Sequence, residues 1–462
     1  MKKLFAGLLA VLTVAAAFFG CSGTGNAASN SAETGTSASS AAGEKQSVSS
    51  AGIPTDKVTL RFEWWGGDDR HKPTLNAIKK FEEKYPYITI KGEYGGFSGM
   101  QEKVNTQMAG HTAPDIIQLN YDWIASLSRD GTAFVDLQTM KDIVDLSQWD
   151  ADTLEFGMRN GKLNAITVST TGRSWYYNKT TFDKVGVAIP KTWDDLLAAG
   201  QTFERYNKSY YPTDLDTGSG FTAFYAVMAY EQQKTGKEFL SQDGKIGFTV
   251  DEFKDALDFY QKLEKNHVTR TQKQQQNDNG STALYQTDNF ISGKVAGMIE
   301  WSSSVGKFAQ VLNEKKNQLV IGDLLTLPDA KNTGWFVKPS LLIGINAETK
   351  YPKQAALFLN WLLNDPESSV ILGTSRGIPS SHSALEALTK SNAKLAEDLA
   401  YQGTVQINNA KPILESPYMD NAEIKKAYIA AIQSVSYGTS DTQKAAQTLY
   451  DSMQKTLDDI VE

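Results

Sequence analysis

Val58-Thr59-Leu60-Arg61-Phe62-Glu63-Trp64-Trp65-Gly66-Gly67 is the stretch from which the rest of the chain is best read. Val58, Leu60, Phe62 and Trp64 alternate with Thr59, Arg61 and Glu63, a period of two that predicts a strand, and the glycine pair ends it. Downstream, Leu75, Ile78 and Phe81 share one side of a predicted helix that stops before Pro86. Ile88 and Ile90 open a second strand, and Met100, Val104 and Met108 recur at helical spacing. Asp115-Ile116-Ile117-Gln118-Leu119 is a third strand, leading into a short helix with Ile124 and Leu127. Such strand–helix alternation predicts an α/β lobe with a largely parallel sheet.

Further along, helix starts are marked by side chains that satisfy the first free N–H groups. Thr192 with Asp195, Thr249 with Glu252, and Ser440 with Gln443 all read as capping boxes. Phe253, Ala256, Leu257 and Tyr260 then form one apolar face. Ala355, Ala356, Leu359, Leu362 and Leu363 form another, and Leu449, Met453 and Leu457 a third. A chain of 462 residues exceeds one ordinary core, so two or three domains are expected.

Upstream, Lys2 and Lys3 precede an apolar run from Leu4 to Phe19, the pattern of an export signal. The run is shorter than the ~20 apolar residues of a spanning helix. Ser22 to Ser50 is Ser, Ala, Gly and Thr with almost no large apolar side chain, and reads as a flexible tether. Such a tether spans on the order of 30 Å, at ~5–6 Å × √n.

Cys21 is the single cysteine, so neither an intramolecular disulfide nor a thiolate metal site can form. The four histidines are scattered, which argues against zinc, and the predicted metal and cofactor complement is none. A net charge of −7 argues against nucleic acid. Asp214-Leu215-Asp216 and Asn277-Asp278-Asn279-Gly280 look like calcium loops but lack first or last ligands, and read as turns. No phosphate loop, His-Glu-x-x-His or Gly-x-Ser-x-Gly elbow occurs, and paired carboxylates such as Asp68-Asp69 do not by themselves suggest a glycosidase.

Five segments in order resemble the bacterial extracellular solute-binding proteins of sugar-importing ABC transporters, the group that includes maltose-binding protein. They are Leu60 to Phe81, Ala113 to Leu137, Tyr176 to Leu197 (with Tyr177-Asn178-Lys179 and Pro190-Lys191-Thr192-Trp193), Phe290 to Ile299, and Ile343 to Pro379. Phe18-Phe19-Gly20-Cys21 also resembles a lipobox, which implies a lipidated Cys21 at the mature N-terminus.

The resemblance implies an α/β, two-lobed periplasmic-binding-protein-like fold (type II), with a ligand cleft between lobes joined by a hinge. Residues 1–20 would be the signal and 21–54 the lipidated cysteine and tether. Residues 55–167 with 341–390 would form the first lobe, and 168–340 with 391–462 the second. Chain crossings are expected near Thr167–Arg173, Lys338–Gly344 and Ser391–Ala400. The implied protein is a non-enzymatic monomer on the outer face of the cytoplasmic membrane. It would capture an oligosaccharide and pass it to ABC permease subunits. The alternatives are another solute on the same fold (phosphate ester, polyamine, iron) and a secreted glycoside-active enzyme.

Sugars offer apolar C–H faces and edge hydroxyls, so flat aromatics and polar side chains at strand ends are the candidates. In the first lobe these are Trp65, expected on the cleft wall opposite to Trp64, then Asp68, Arg70 and His71 after the glycine pair. Asn120, Tyr121, Asp122 and Trp123 follow the third strand. Arg173 lies at the presumed hinge. Glu300, Trp301 and Ser302 follow a second-lobe strand, and Trp335 is expected to cap the cleft. Arg376 completes the set. Trp193 and Trp361 are assigned to the core. The cations Arg70, His71, Arg173, Lys338 and Arg376 together raise the expectation of an acidic sugar.

Overall fold

The structure, a computed structural model, describes residues 52–216, 221–280 and 282–461; Cys21, the export signal and the tether lie outside these residues. The leading strand, β1 (Val58–Trp65), is followed by α1 (Asp68–Lys84), β2 (Ile88–Gly95), α2 (Met100–Ala109), β3 (Ile116–Leu119) and α3 (Tyr121–Leu127). Apart from a short antiparallel pair of Met158–Arg159 with Lys162–Leu163, the remaining strands are β4 (Ala165–Asn178), β5 (Gly297–Trp301), β6 (Leu319–Ile321), β7 (Phe336–Ile345) and β8 (Ile413–Leu414). They form one eight-stranded sheet in the order β2-β1-β3-β7-β4-β5, with β6 on β4 and β8 on β7.

The sheet is mixed, not largely parallel. β1 runs parallel to β2 and β3 as the alternation predicts, whereas β3–β7, β7–β4 and β4–β5 are antiparallel. The cause is topological: β7 returns to the first lobe from the far end of the molecule and enters the sheet against the direction of β3.

Two strands belong to both lobes. β7 pairs β3 at its end and β8 at its start. β4 pairs β7 from Ala165 to Gly172 and then β5 and β6 beyond it. All 14 residues of β4 are buried, as expected of a strand covered on both faces. Its ladder with β7 is interrupted on either side of Ser169 by register shifts, the local kink of a β-bulge. At Gly172 a Cβ would lie 2.5 Å from Ile407 Cγ1 and 2.8 Å from the Phe336 carbonyl oxygen. Only glycine therefore lets the helix α8 (Leu399–Asn409) rest on the shared strand.

Helix starts follow the caps read from sequence. The boxes at Thr192 and Thr249 begin α4 (Trp193–Tyr206) and α6 (Val250–Lys265). A third box, Thr271 with Gln274, was not anticipated. The final helix, α9 (Thr442–Val461), begins later than Ser440 would place it, because the Asp441 carboxylate accepts from the Lys444 N–H. Between α4 and α6 lies α5 (Thr222–Thr235). In the second-lobe core the Trp193 and Trp335 rings stack at 6.1 Å and 13°, with Trp175 edge-on to both. α7 (Pro352–Asn364) lies against α1, where Trp361 packs near Phe81.

The two calcium-like motifs meet, but on a cation supplied by the chain. Arg270 donates to Asp214 through Nη2 at 2.5 Å and to Asp278 through Nη1 at 3.0 Å. Tyr176 and Tyr177 are fully buried. No cluster of three or more His, Cys, Asp or Glu suited to a metal occurs among the described residues.

Candidate functional site

Strand register builds the centre of the site. Arg173 on β4 stands directly opposite Trp301 on β5, so both side chains leave the same face of the sheet. The guanidinium carbon lies 4.2 Å from the Trp301 ring and 4.0 Å from that of Tyr225 on α5. It is thus held between two aromatic faces, whose negative charge favours a cation. Arg173 is 4% exposed, and its Nε and Nη1 have no hydrogen-bond partner.

A second cation adjoins it. Lys338, at the second-lobe end of β7, sits 4.5 Å over Trp301. It pairs with Glu415 at 3.0 Å and, more closely still, with Asp420. Burial alone would depress its ammonium, but Asp420 and Glu415 outweigh burial and hold the pKa above the ordinary lysine value. Asp420 is held well below the carboxylate range: burial pushes it up, and Lys338 and Lys425 more than reverse this. Burial pushes Glu415 upward instead, and this carboxylate also accepts from the Tyr225 hydroxyl at 3.1 Å. Lys338 is therefore neutralised within the protein, whereas Arg173 has no carboxylate within hydrogen-bonding distance.

The neighbours of this centre are polar and largely buried. Glu300 accepts from the Trp301 N–H at 2.8 Å, and its carboxyl is raised by burial against the pull of Arg173. Ser302 is fully buried between the hydroxyls of Thr171 and Thr404, at 3.2 and 2.9 Å. From α3, the Tyr121 hydroxyl donates to Gln242 Oε1, 121 residues further along the chain, at 2.9 Å. Asp122 follows it, its carboxyl raised by burial and by Asp420 across the gap. The Asn120 side-chain amide donates to the Asp122 carboxylate. Asp122, Arg129, Tyr418, Asp420 and Asn421 line a cavity of about 360 Å³.

Other sequence candidates lie elsewhere. Trp65 is 7% exposed, not open on the cleft wall. Alternation does turn it away from Trp64, but α3 and the loop before α2 cover that face too, and the ring packs against Trp123 at 4.9 Å and Phe97 at 5.5 Å. Trp123 is itself buried. Trp335 does not cap the cleft: it faces the tryptophan core and donates its indole N–H to the Leu325 carbonyl. His71 accepts from the Trp64 indole at 3.1 Å and lies against Tyr94. Asp68 pairs with Lys72 in solvent.

Arg70 and Arg376 fasten α1 to the segment after α7. Arg70 donates to the carbonyls of Ser375 and Trp65. Arg376 donates to Gln118 at 3.2 Å and Thr74 at 2.7 Å. Burial and the neighbouring Arg70 push the Arg376 guanidinium down to about 9.

Sequence reading missed Tyr225, Glu415, Asp420 and Phe97. Phe97 alone carried a usable signal, a single aromatic within Gly95-Gly96-Phe97-Ser98-Gly99 at the end of β2.

Residues 68–368 match the bacterial extracellular solute-binding protein family. The chain belongs to that family. It is a family of solute binders rather than enzymes. A periplasmic oligogalacturonide-binding protein from Yersinia enterocolitica is 33% identical, with a TM-score of 0.79 over 88% of this chain and 100% of its own. Its complex with saturated digalacturonic acid gives a TM-score of 0.76 at 33% identity, over 87% of this chain and 100% of its own. A de novo designed cysteine esterase matches at 33% identity and a TM-score of 0.82, over 88% of this chain and 99% of its own, as an engineered protein. A putative binding protein from Brucella abortus is 24% identical over 43% of this chain, and the match spans about half, 48%, of that relative's length. No described helix is long and apolar enough to cross a membrane.

Proposed function

We propose that this solute-binding protein captures acidic oligosaccharides of the oligogalacturonide type and delivers them to the permease of an ABC importer. The observation that carries the reading is Arg173, a buried guanidinium between Tyr225 and Trp301 with two N–H groups unpaired. A buried cation with no hydrogen-bonded carboxylate is costly, and a uronate carboxylate would supply that partner through a charge-assisted bond. The flanking Trp301 indole, only partly buried, offers an aromatic surface to the sugar ring. The likeness to a protein solved with digalacturonic acid supports the same ligand class.

In this reading the lobes comprise 55–167 with 341–390 and 168–340 with 391–462, and they close by bending where β4 and β7 pass between them. The protein acts as a monomer, held outside the membrane by lipid on Cys21. Cys21→Ser should move it from the membrane fraction into the medium; unchanged fractionation would remove the anchor. The ligand class is tested by titration calorimetry with saturated digalacturonic acid and its neutral, carboxyl-reduced analogue. The uronate should bind at least about tenfold tighter, the ~1.4 kcal/mol minimum for one charge-assisted bond. Equal affinities would refute the acidic ligand.

A further inference from the structure

The exposed aromatic here is not the tryptophan that sequence suggests but the phenylalanine lying over it. Phe97 is 55% exposed, more than any other large apolar side chain among the described residues. Its ring is nevertheless fixed. One face stacks on Trp123 at 5.9 Å and 14°, and Trp65 meets it edge-on at 5.5 Å. The opposite face is left open.

Its setting places that face at the cleft. Phe97 follows β2 at the carboxyl end of the sheet, where open α/β sheets bind ligands. The ring beneath it belongs to α3, the helix whose Tyr121 bonds Gln242 and whose Asp122 feels Asp420 and Lys338. Asp122, next to Trp123 in the chain, lines one cavity with Asp420, and Asp420 pairs with Lys338, which lies over Trp301 beside Arg173. Glycines flank the aromatic: Gly99 has φ +75°, and neither Gly96 nor Gly99 has an atom within 4 Å of where a Cβ would be. The loop thus has room to adjust around a ring laid on it.

We propose that Phe97, backed by Trp123 and Trp65, is the first lobe's subsite for the apolar C–H face of a pyranose ring. The inference rests on the carbohydrate reading above and adds a contact that reads ring shape, not charge. Phe97 covers one end of the ligand while Arg173 holds a carboxylate from the other lobe.

The test is calorimetry on the full chain with digalacturonic acid and its carboxyl-reduced analogue, for wild type, Phe97→Ala and Phe97→Trp. Phe97→Ala should weaken whichever sugar the wild type binds by about 10- to 100-fold, the loss of a stacking anchor. Phe97→Trp should restore affinity to within about threefold. In Phe97→Ala, tryptophan emission should shift to the red as Trp65 and Trp123 meet water, while the unfolding midpoint stays near wild type. If the wild type binds and Phe97→Ala binds equally well, the subsite is refuted and the carbohydrate reading stands. If the wild type binds neither sugar, the inference falls together with that reading.

Discussion

Replacing Arg173 by Met separates binding from folding, because methionine keeps an apolar stem between Tyr225 and Trp301 while the charge is lost. In the free protein the effects oppose one another. Two cation–π contacts at 4.0 and 4.2 Å disappear, each worth about 0.5–2 kcal/mol. Two buried N–H groups without partners disappear with them, relieving about 1–3 kcal/mol each. The balance should therefore fall between about 2 kcal/mol of loss and about 5 kcal/mol of gain, so the free variant should still fold. In the complex nothing offsets the loss, since removing one partner of a desolvated charge pair costs about 2–5 kcal/mol. Digalacturonate affinity should fall roughly 30- to 4,000-fold, and the neutral analogue should be nearly indifferent. Calorimetry on both sugars and urea unfolding of the free variant read the two quantities separately. An Arg173→Met protein that binds digalacturonate within threefold of wild type would show that the caged guanidinium serves packing alone.

Other perturbations probe the frame around that centre. Tyr121→Phe deletes the bond to Gln242 and should cost about 0.5–1.5 kcal/mol of closure. The radius of gyration of the liganded protein would rise in solution scattering, and an unchanged profile and affinity would mean that this bond does not bias closure. Trp193→Ala should lower stability by about 3–5 kcal/mol and leave ligand affinity near wild type; weak binding at normal stability would contradict its place in the core. Burial depresses the His267 pKa even though the ring bonds the Tyr210 carbonyl. The unfolded chain therefore binds this proton first, and stability should be full above about pH 6.5 and decline as pH falls through the folded value. His267→Asn, which tolerates the left-handed backbone there, should flatten that decline in unfolding midpoints between pH 7 and 5.

Local pattern carried most of the first lobe. β1, α1, β2, α2 and β3 fall where alternation and helical spacing put them, because each buries its own apolar face. Trp65 shows where that logic stops. Period two orients it opposite to Trp64, but its exposure depends on whether other segments cover that face, and α3 and the loop before α2 both do. Glu63, read as an outward residue, is buried for the same reason and is paired with Lys103. The centre of the site was legible only in part. Arg173 and Trp301 were both candidates, yet what makes them a pair is the register between strands more than a hundred residues apart. Tyr225, Glu415 and Asp420 arrive from helices and turns with no binding motif, so only tertiary structure assembles them around Lys338.

The bulge at Ser169 carries a consequence for inheritance. In the proposed closing motion, a change at Ser169 or Ser340 would touch neither Arg173's cage nor Phe97, yet it would alter how the shared strands bend. Apparent affinity scales with the fraction of molecules able to close. Such a change would therefore strengthen or weaken every ligand by one common factor and leave their ranking untouched. Avidity for sugar and discrimination among sugars would then be separate traits, free to drift independently as food sources change.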